Sequence, residues 1–327
     1  MRKNRIVVSV IMITYGHESY IKQAIEGVLM QHCDFDVELI IANDCSPDKT
    51  DEIIQEILQT HPKSSWIKNI KHEKNIGAMP NFFSTLKESQ GKYIALCEGD
   101  DYWIDSLKLQ KQVDFLEANN DFGLVHGDCN MKYENKNKVV LSLNQKNGFN
   151  HDYKEDDNVL FDRILSGDYK VRTATSLFRA SLYFQIQEQL KTYQNKFLMG
   201  DIPLWILLSS VSKFGYIDEV LSVYRLSPSS ATRSKNKAKV FRFKLSSYEF
   251  RVWIYKEKNK ILPQSIKNKY NESLINYRLY NRNYEPMFSM IEPTKKQMFF
   301  YEYSNFYLMR NIFKLRTKPN YFKIIYN

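Results

Sequence analysis

The strongest constraint in the chain is a rhythm in its first 130 or so residues, where short β-branched apolar runs alternate with helical patterns. VVSVIMIT (7–14) precedes a helical stretch over 18–30, and VELIIAN (37–43) precedes another over 49–58. WIKNIKHE (66–73) gives way to PNFFSTLKESQ (80–90), and KYIALCE (92–98) to SLKLQKQVDFLEANN (106–120), before a fifth run, FGLVHGD (122–128). Strands covered on both faces read as continuous apolar runs, and strands separated by helices are the pattern of a parallel sheet with crossover connections. Sheets of this kind bind ligands outside the carboxyl ends of their strands.

Four of those ends are polar: Thr14-Tyr15-Gly16, Asn43-Asp44, Asn75-Ile76-Gly77 and Glu98-Gly99-Asp100-Asp101. Taken one at a time, each has a plain structural explanation. Asp44 in NDCSPDKT could cap the next helix or hold an Asx turn, and Asn75 to Gly77 could be an ordinary turn. The acidic group is harder to dismiss, because Glu98, Asp100 and Asp101 lie between an apolar strand and the pair Tyr102-Trp103. Clustered carboxylates in a poorly screened place raise one another's pKa and destabilise the fold unless a cation or donors neutralise them. Magnesium and manganese accept a few carboxylate oxygens and complete their shell with water and phosphates, so the cluster suits a metal-bound diphosphate.

The remaining composition bounds the class. The chain has 327 residues, enough for one large domain with an appendage, and 43% hydrophobic with 26% charged residues is ordinary globular composition. The basic start and apolar run of MRKNRIVVSVIMITYG resemble a secretion signal, but the run is β-branched, shorter than a membrane span and followed by no small-residue cleavage site. It reads as a first strand. Cys33, Cys45, Cys97 and Cys129 are widely spaced, which fits reduced thiols in a cytoplasm better than a disulfide framework or zinc site. The net charge of +10 belongs to the tail: residues 241–327 hold 17 Lys and Arg against 6 Asp and Glu, and 11 of the 22 tyrosines. A boundary is therefore expected near residue 235, with a domain over 1–234 and a basic, Tyr-rich helical extension over 235–327.

Several chemistries lack their residues. The sequence holds no G-x-G-x-x-G, no G-x-x-x-x-G-K-[ST], no H-E-x-x-H and no G-x-S-x-G. A phosphate group would have to be held by metal and side chains instead.

Taken together, VSVIMITYGHESYIKQAIEGVLMQ, IIANDCSPDKT, NIGAMPNF, GKYIALCEGDDYWID with LKLQKQVDFLE, and GDIPLWILLSSVSKFGYIDEVLSVYR closely resemble the family 2 glycosyltransferases. The likeness runs in order over roughly 6–232. It implies a GT-A fold, a Rossmann-like α/β architecture with a mainly parallel sheet flanked by helices, here with a C-terminal helical extension. It also implies an inverting transfer of a sugar from a nucleotide-diphosphate sugar, a UDP-sugar first, to a hydroxyl of a glycan or lipid-linked acceptor in surface polysaccharide biosynthesis. By this resemblance Thr14, Tyr15 and Glu18 contact the nucleotide, Asp44 reads the base, and Asn75 with Gly77 borders the ribose. Glu98, Asp100 and Asp101 match the D-x-D region, where one of Asp100 and Asp101 contacts Mg2+ or Mn2+ and the other the ribose, so both are candidates for the metal, and Arg225 is a candidate diphosphate contact. Asp201, ahead of a Leu-Trp helix, matches the general base, although an acid there could equally cap the helix.

One departure stands out. Many relatives carry a histidine two residues after the Arg of the YR motif, whereas this sequence reads Tyr224-Arg225-Leu226-Ser227, leaving water or Ser227 in that place. His17, His32, His61, His72 and His126 are read as non-ligands. Residues 128–176, with Asp128, Arg172 and Thr173, lie where such enzymes build the acceptor side. The tail reads first as an appendage and second as a peripheral contact with the inner face of the cell membrane, with no nucleic acid expected. Two other functions remain: a catalytically impaired sugar-nucleotide-binding module, and a sugar-phosphate nucleotidyltransferase, for which TYGHESY lacks a Gly-rich basic segment.

Overall fold

The structure is a computed structural model that describes residues 6–136, 138–148, 157–194, 196–227, 234, 236–281 and 283–289. The chain divides into two compact units, residues 1–233 and 234–327. In the first, the order is β1 (Val8–Thr14), α1 (Ile21–Leu29), β2 (Val37–Asn43), α2 (Thr50–Thr60), β3 (Ile67–Lys71), α3 (Ala78–Lys87), β4 (Tyr93–Leu96), β5 (Tyr102–Trp103) and α4 (Lys108–Ala118). Then come β6 (Phe122–Tyr133), β7 (Lys138–Val140), α5 (Leu143–Lys146), α6 (Asp157–Ser166), β8 (Leu177–Arg179), α7 (Ala180–Gln194), α8 (Asp201–Ser209) and β9 (Lys213–Leu226).

Among the described residues the strands form one sheet in the order β3-β2-β1-β4-β8-β6-β9-β5, with β7 on β6. The first four are parallel, as the alternation of runs and helices requires. β2 and β4 are buried throughout and β1 almost so, which is why their sequences show no polar alternation. β3, at the edge, is half-buried and carries Lys68 and Lys71, charges that discourage pairing with another chain. α1 closes one face: its Ile21, Ala24, Ile25, Val28 and Leu29 are buried in the same core as Val8, Val10, Leu39 and Trp103. It begins at Ile21 rather than at residue 18 because the chain first turns, the His17 carbonyl accepting from the N–H groups of both Tyr20 and Ile21.

The sheet beyond β4 departs from a purely parallel reading. β8 runs antiparallel to both β4 and β6, and β9 runs parallel to β6 over most of its length. Two reversals in succession return β6 and β9 to the direction of β4, so all their carboxyl ends share one edge with β1 and β2. A strand of three residues carries too short a run to be read from sequence, and that is how β8 escapes it.

The second unit contains α9 (Lys237–Glu257) and α10 (Gln264–Arg278). Asn236 starts α9 by accepting the Lys239 N–H at 3.2 Å, a side-chain N-cap. Leu245, Phe250, Ile254, Ile266, Tyr270 and Leu274 form its apolar interior. Glu249, buried beside them, accepts from Arg242 Nη1 at 2.8 Å and from the Tyr284 hydroxyl at 2.7 Å, so its charge is neutralised locally.

One polar group in the first unit is costly. Lys108 is fully buried, with Nζ 4.0 Å from the centre of the Trp103 ring and donating to Gln112 Oε1 at 2.7 Å. Burial drives its pKa down to about 7, opposed by the nearby Cys97 and Asp105. Above that value the native protein releases a proton that the unfolded chain keeps until about pH 10.4, so stability rises with pH across this window, by roughly 1.4 kcal/mol per unit at the steepest. Lys108→Met is expected to lose that rise, so that its stability relative to wild type is greatest below pH 7 and declines toward pH 10. Urea unfolding at pH 6, 7.5, 9 and 10 measures it; parallel profiles for the two proteins would refute it.

Candidate active site

The shared edge gathers what the sequence scattered. Thr14 ends β1, Asp44 follows β2, Glu98 to Asp101 follow β4, and Arg225 lies near the end of β9. Asp201 opens α8, with its Oδ1 accepting the Ile202 N–H at 2.8 Å.

The loops on this edge are stitched together by peptide N–H groups. Asp44, buried, accepts the Ile76 N–H on Oδ1 at 2.7 Å and the Gly77 N–H on Oδ2 at 2.9 Å, while Asn75 Nδ2 donates to the Asp44 carbonyl at 3.3 Å. Gly77 has φ +91°, a conformation open to glycine and strained for other residues, and from there α3 starts. The loop after β1 is fastened to the start of α2: Gly16 N–H donates to Ser46 Oγ at 3.0 Å, His17 N–H to Thr50 Oγ1 at 2.9 Å, and Glu18 N–H to Asp48 Oδ2 at 3.0 Å. Glu18 returns the contact, its Oε2 accepting the Lys49 N–H at 3.0 Å. Tyr15 stands out from this framework, 48% exposed, as an open aromatic face.

The acidic loop is packed against this framework. Thr14 Oγ1 and His17 Nδ1 lie 3.1 Å apart. A Cβ added at Gly99 would fall 2.7 Å from that Oγ1 and 3.0 Å from that Nδ1, so only glycine fits. Glu98 and Asp101 are both raised above the usual carboxylate range. For Glu98 the causes are burial, then the charges of Asp100 and Asp201, with a hydrogen bond from Thr173 in opposition. For Asp101 they are burial, then Asp100 and Glu98, opposed by the N–H and charge of Arg225. Asp201 is therefore within electrostatic reach of the cluster, although a hundred residues separate them in sequence. Glu98 Oε2 is buried with no hydrogen-bond partner.

An orphaned carboxylate oxygen among like charges is what a divalent cation would relieve. Among the described residues no group of three or more His, Cys, Asp and Glu has metal-binding geometry. The chemistry of the acidic loop, three carboxylates with one oxygen of Glu98 unpartnered, is of the type that magnesium and manganese accept when water and phosphate complete the shell.

Arg225 has partners other than the diphosphate expected of it. The residue is 2% exposed; Nη1 donates to the Asp100 carbonyl at 2.9 Å, Nη2 donates to Gln23 Oε1, and Nε lies 3.0 Å from Glu134 Oε1. Gln23 and Glu134 carry no local signal, and sequence reasoning passed over them; Thr173, expected on the acceptor side, is the residue whose hydroxyl meets Glu98. Trp103 is core, 1% exposed, and Ser227 is buried beyond β9. His72 meets Asn81 at 2.9 Å and His126 meets Tyr169 at 2.7 Å. Asp128 is engaged by the N–H groups of Cys129 and Asn144, both at 2.7 Å, and of Gln145 at 3.2 Å, which fixes the start of α5.

Comparison with known proteins bears on the family and the fold. Residues 9–180, more than half of the chain, match the family model described as glycosyl transferase family 2. The uncharacterized protein Rv1520 of Mycobacterium tuberculosis is 45% identical over 109 residues, 33% of this chain and 31% of that one. The chain therefore matches only about a third of that relative's length. The UDP-Glc:alpha-D-GlcNAc-diphosphoundecaprenol beta-1,3-glucosyltransferase WfaP of Escherichia coli is 34% identical over 116 residues, 36% of this chain and 43% of that one. In structure, S. aureus TarS 1-349 in complex with UDP-GlcNAc superposes with a TM-score of 0.54 at 18% identity, covering 85% of this chain and 74% of that one. At that identity the likeness is one of fold.

The packing at Gly99 yields a direct expectation. Gly99→Ala should lower stability by about 1–3 kcal/mol, the usual cost of overpacking a filled site, because Thr14 is itself buried and cannot retreat. Thermal unfolding beside a control alanine at the exposed Gln55 of α2 distinguishes a local clash from a general effect; a Gly99→Ala midpoint equal to that of the control would refute the clash.

Proposed function

The chain belongs to glycosyl transferase family 2, and from that premise we propose that residues 1–234 form an inverting glycosyltransferase domain. It would transfer a sugar from a nucleotide-diphosphate sugar, a UDP-sugar first, to a hydroxyl of a glycan or lipid-linked acceptor. The observation that carries this reading is the acidic loop of Glu98, Asp100 and Asp101 at the carboxyl edge of the sheet, with Asp201 at the start of α8 near enough for its charge to act on Glu98. The UDP-GlcNAc of the TarS complex supports the donor class, and the diphosphoundecaprenol acceptor in the description of WfaP supports a lipid-linked one.

Each residue then has work of its own. Tyr15 offers its open face to the base, and Asp44, with lone pairs left after its two peptide N–H contacts, accepts from the base edge. Thr14, Glu18, Asn75 and Gly77 keep these loops in place around the nucleoside. Asp100 and Asp101 would hold Mg2+ or Mn2+, which supplies positive charge against the diphosphate. Asp201 accepts the proton of the acceptor hydroxyl as its oxygen forms a bond to the anomeric carbon. The bond from that carbon to the diphosphate oxygen breaks with its electron pair leaving on the diphosphate, and attack from the opposite face converts an α-linked donor into a β-glycoside.

The departure at Leu226-Ser227 favours a second reading, a sugar-nucleotide-binding module impaired in catalysis. Asp201→Asn separates the two. Under the first reading, UDP with Mn2+ raises the melting temperature of the variant as it does for wild type, while transfer falls by roughly 10² to 10⁴. Undiminished transfer would remove Asp201 from the mechanism, and a UDP shift with no transfer by wild type under any donor would favour the impaired module.

For residues 235–327 the proposal is a peripheral membrane contact. Among the described residues no helix is long and apolar enough to cross a membrane. Ile261, in the turn after α9, is 93% exposed, and Lys256 and Lys258 beside it are exposed too, a pattern suited to anionic lipid headgroups with one apolar tip. Co-sedimentation with phosphatidylglycerol vesicles should fall on changing Ile261 to Asp together with Lys256 and Lys258 to Glu; unchanged co-sedimentation would exclude this turn.

A further inference from the structure

Arg225 is joined to both aspartates of the acidic loop. Its N–H donates to Asp101 Oδ1 at 2.8 Å, and its Nη1 donates to the Asp100 carbonyl at 2.9 Å. β5 pairs antiparallel with β9, Tyr102 opposite Val223, so the ladder continued by two places brings Arg225 level with Asp100. The guanidinium is fixed on every side. It lies over the Tyr102 ring at 4.3 Å and the Tyr20 ring at 5.1 Å, donates to Gln23 on α1, and stands against Glu134 at 3.0 Å.

Glu134 reaches it from just past the end of β6. Lys132 of β6 lies opposite Arg225 of β9, and Glu134 is the first residue of the short 3-10 turn, Glu134–Lys136, that follows the strand. Arg225 Nε and Glu134 Oε1 are both buried and neither makes a hydrogen bond, so what joins them is charge at short range. Lys132 Nζ also approaches Glu134, at 3.2 Å. Loss of Glu134 would remove the carboxylate 3.0 Å from Nε and leave the guanidinium, 2% exposed, to the charge of Asp101, a loss of compensation of the kind that drives rearrangement.

We propose that Glu134 and Arg225 form a strut that holds Asp100 and Asp101 in position, making both of them positioning residues for the acidic loop rather than contacts of the substrate. This rests on the reading of that loop as the diphosphate side of a glycosyltransferase. The strut also ties the loop after β4 to the end of β6, a segment that follows it by thirty residues in sequence. The guanidinium is enclosed by two rings, a glutamine, a carboxylate and a main-chain carbonyl, so turning it toward a diphosphate would break the contacts that shape the loop.

The test is amide hydrogen exchange of the full chain as wild type, Glu134→Gln and Arg225→Lys, each with and without UDP and Mn2+. Glu134→Gln keeps the shape and removes the charge, while Arg225→Lys keeps the charge and cannot span the Asp100 carbonyl and Glu134 together. The expected result is exchange across residues 98–103 faster by about tenfold or more in both variants, with β1 and β2 unchanged. Exchange across 98–103 equal to wild type would overturn the strut, and so would uniform loosening of the whole unit, which would make the pair a general stabiliser. The ligand arm reports separately on the functional reading. If the loop loosens in the variants but UDP with Mn2+ protects nothing in wild type, the strut stands and the donor assignment falls. If wild type is protected, the strut further predicts a severalfold higher half-saturating Mn2+ concentration in both variants.

Discussion

Repulsion among the carboxylates at the end of β4 is the constraint around which the first unit is arranged. Asp101 is buried and Glu98 half-buried next to Asp100, and Asp201 adds a further negative charge from α8. Nothing in hydrophobic packing rewards such a placement; burial penalises each charge, and each neighbour adds to the penalty. The fold answers in part, with the Arg225 N–H and guanidinium at one side and Thr173 at the other, and leaves Glu98 Oε2 unanswered. Residual cost of this kind, concentrated at the rim where ligands of open α/β sheets bind, is the signature of a site kept for function at the expense of stability.

Because the carboxylates repel, the loops that carry them need support from elsewhere, and the rim supplies it through peptide N–H groups. The loop after β1 is fastened to α2 by Ser46, Asp48 and Thr50, and the loop after β3 is held by Asp44. Side chains that resemblance marks as nucleotide contacts therefore have a structural duty in the free protein. The two duties are compatible. An ionised carboxylate offers about four lone-pair sites, and two N–H groups leave Asp44 with capacity to spare. A rim ordered before the ligand arrives has less entropy to lose on binding.

The sequence made the parallel half of the fold legible because its strands are covered on both faces and its helices intervene at regular intervals. β1, β2 and β4 sit where their apolar runs do, and the polar residues after them converge as the strand-end rule requires. What escaped had no local signature. β8 is three residues long, β5 two, and the order that sets β8 between β4 and β6 depends on pairings between distant segments. Arg225 could be singled out by its motif, but its partners Gln23 and Glu134 could not, since an ordinary Gln on a helix and an ordinary Glu after a strand announce nothing. Lys108 is the sharpest case: a lysine on an amphipathic helix reads as solvated, and only the tertiary structure places it under Trp103.

The substitution at the end of β9 fits the same logic. Where the family resemblance leads one to expect histidine, this chain has Ser227, two residues past the arginine that braces the acidic loop and buried like it. A serine hydroxyl is shorter than an imidazole and a weaker donor to a cation, so on the proposed reading the acidic loop would supply most of the protein's share of a metal shell. A loop offering so few carboxylates would leave the larger share of a magnesium or manganese shell to water and to phosphate oxygens. Metal and nucleotide would then bind as one unit, each weak without the other. That dependence raises the importance of where the two aspartates stand, because with fewer protein ligands a small displacement of either has no neighbour to compensate for it. The bracing of both by a single buried arginine follows from that need.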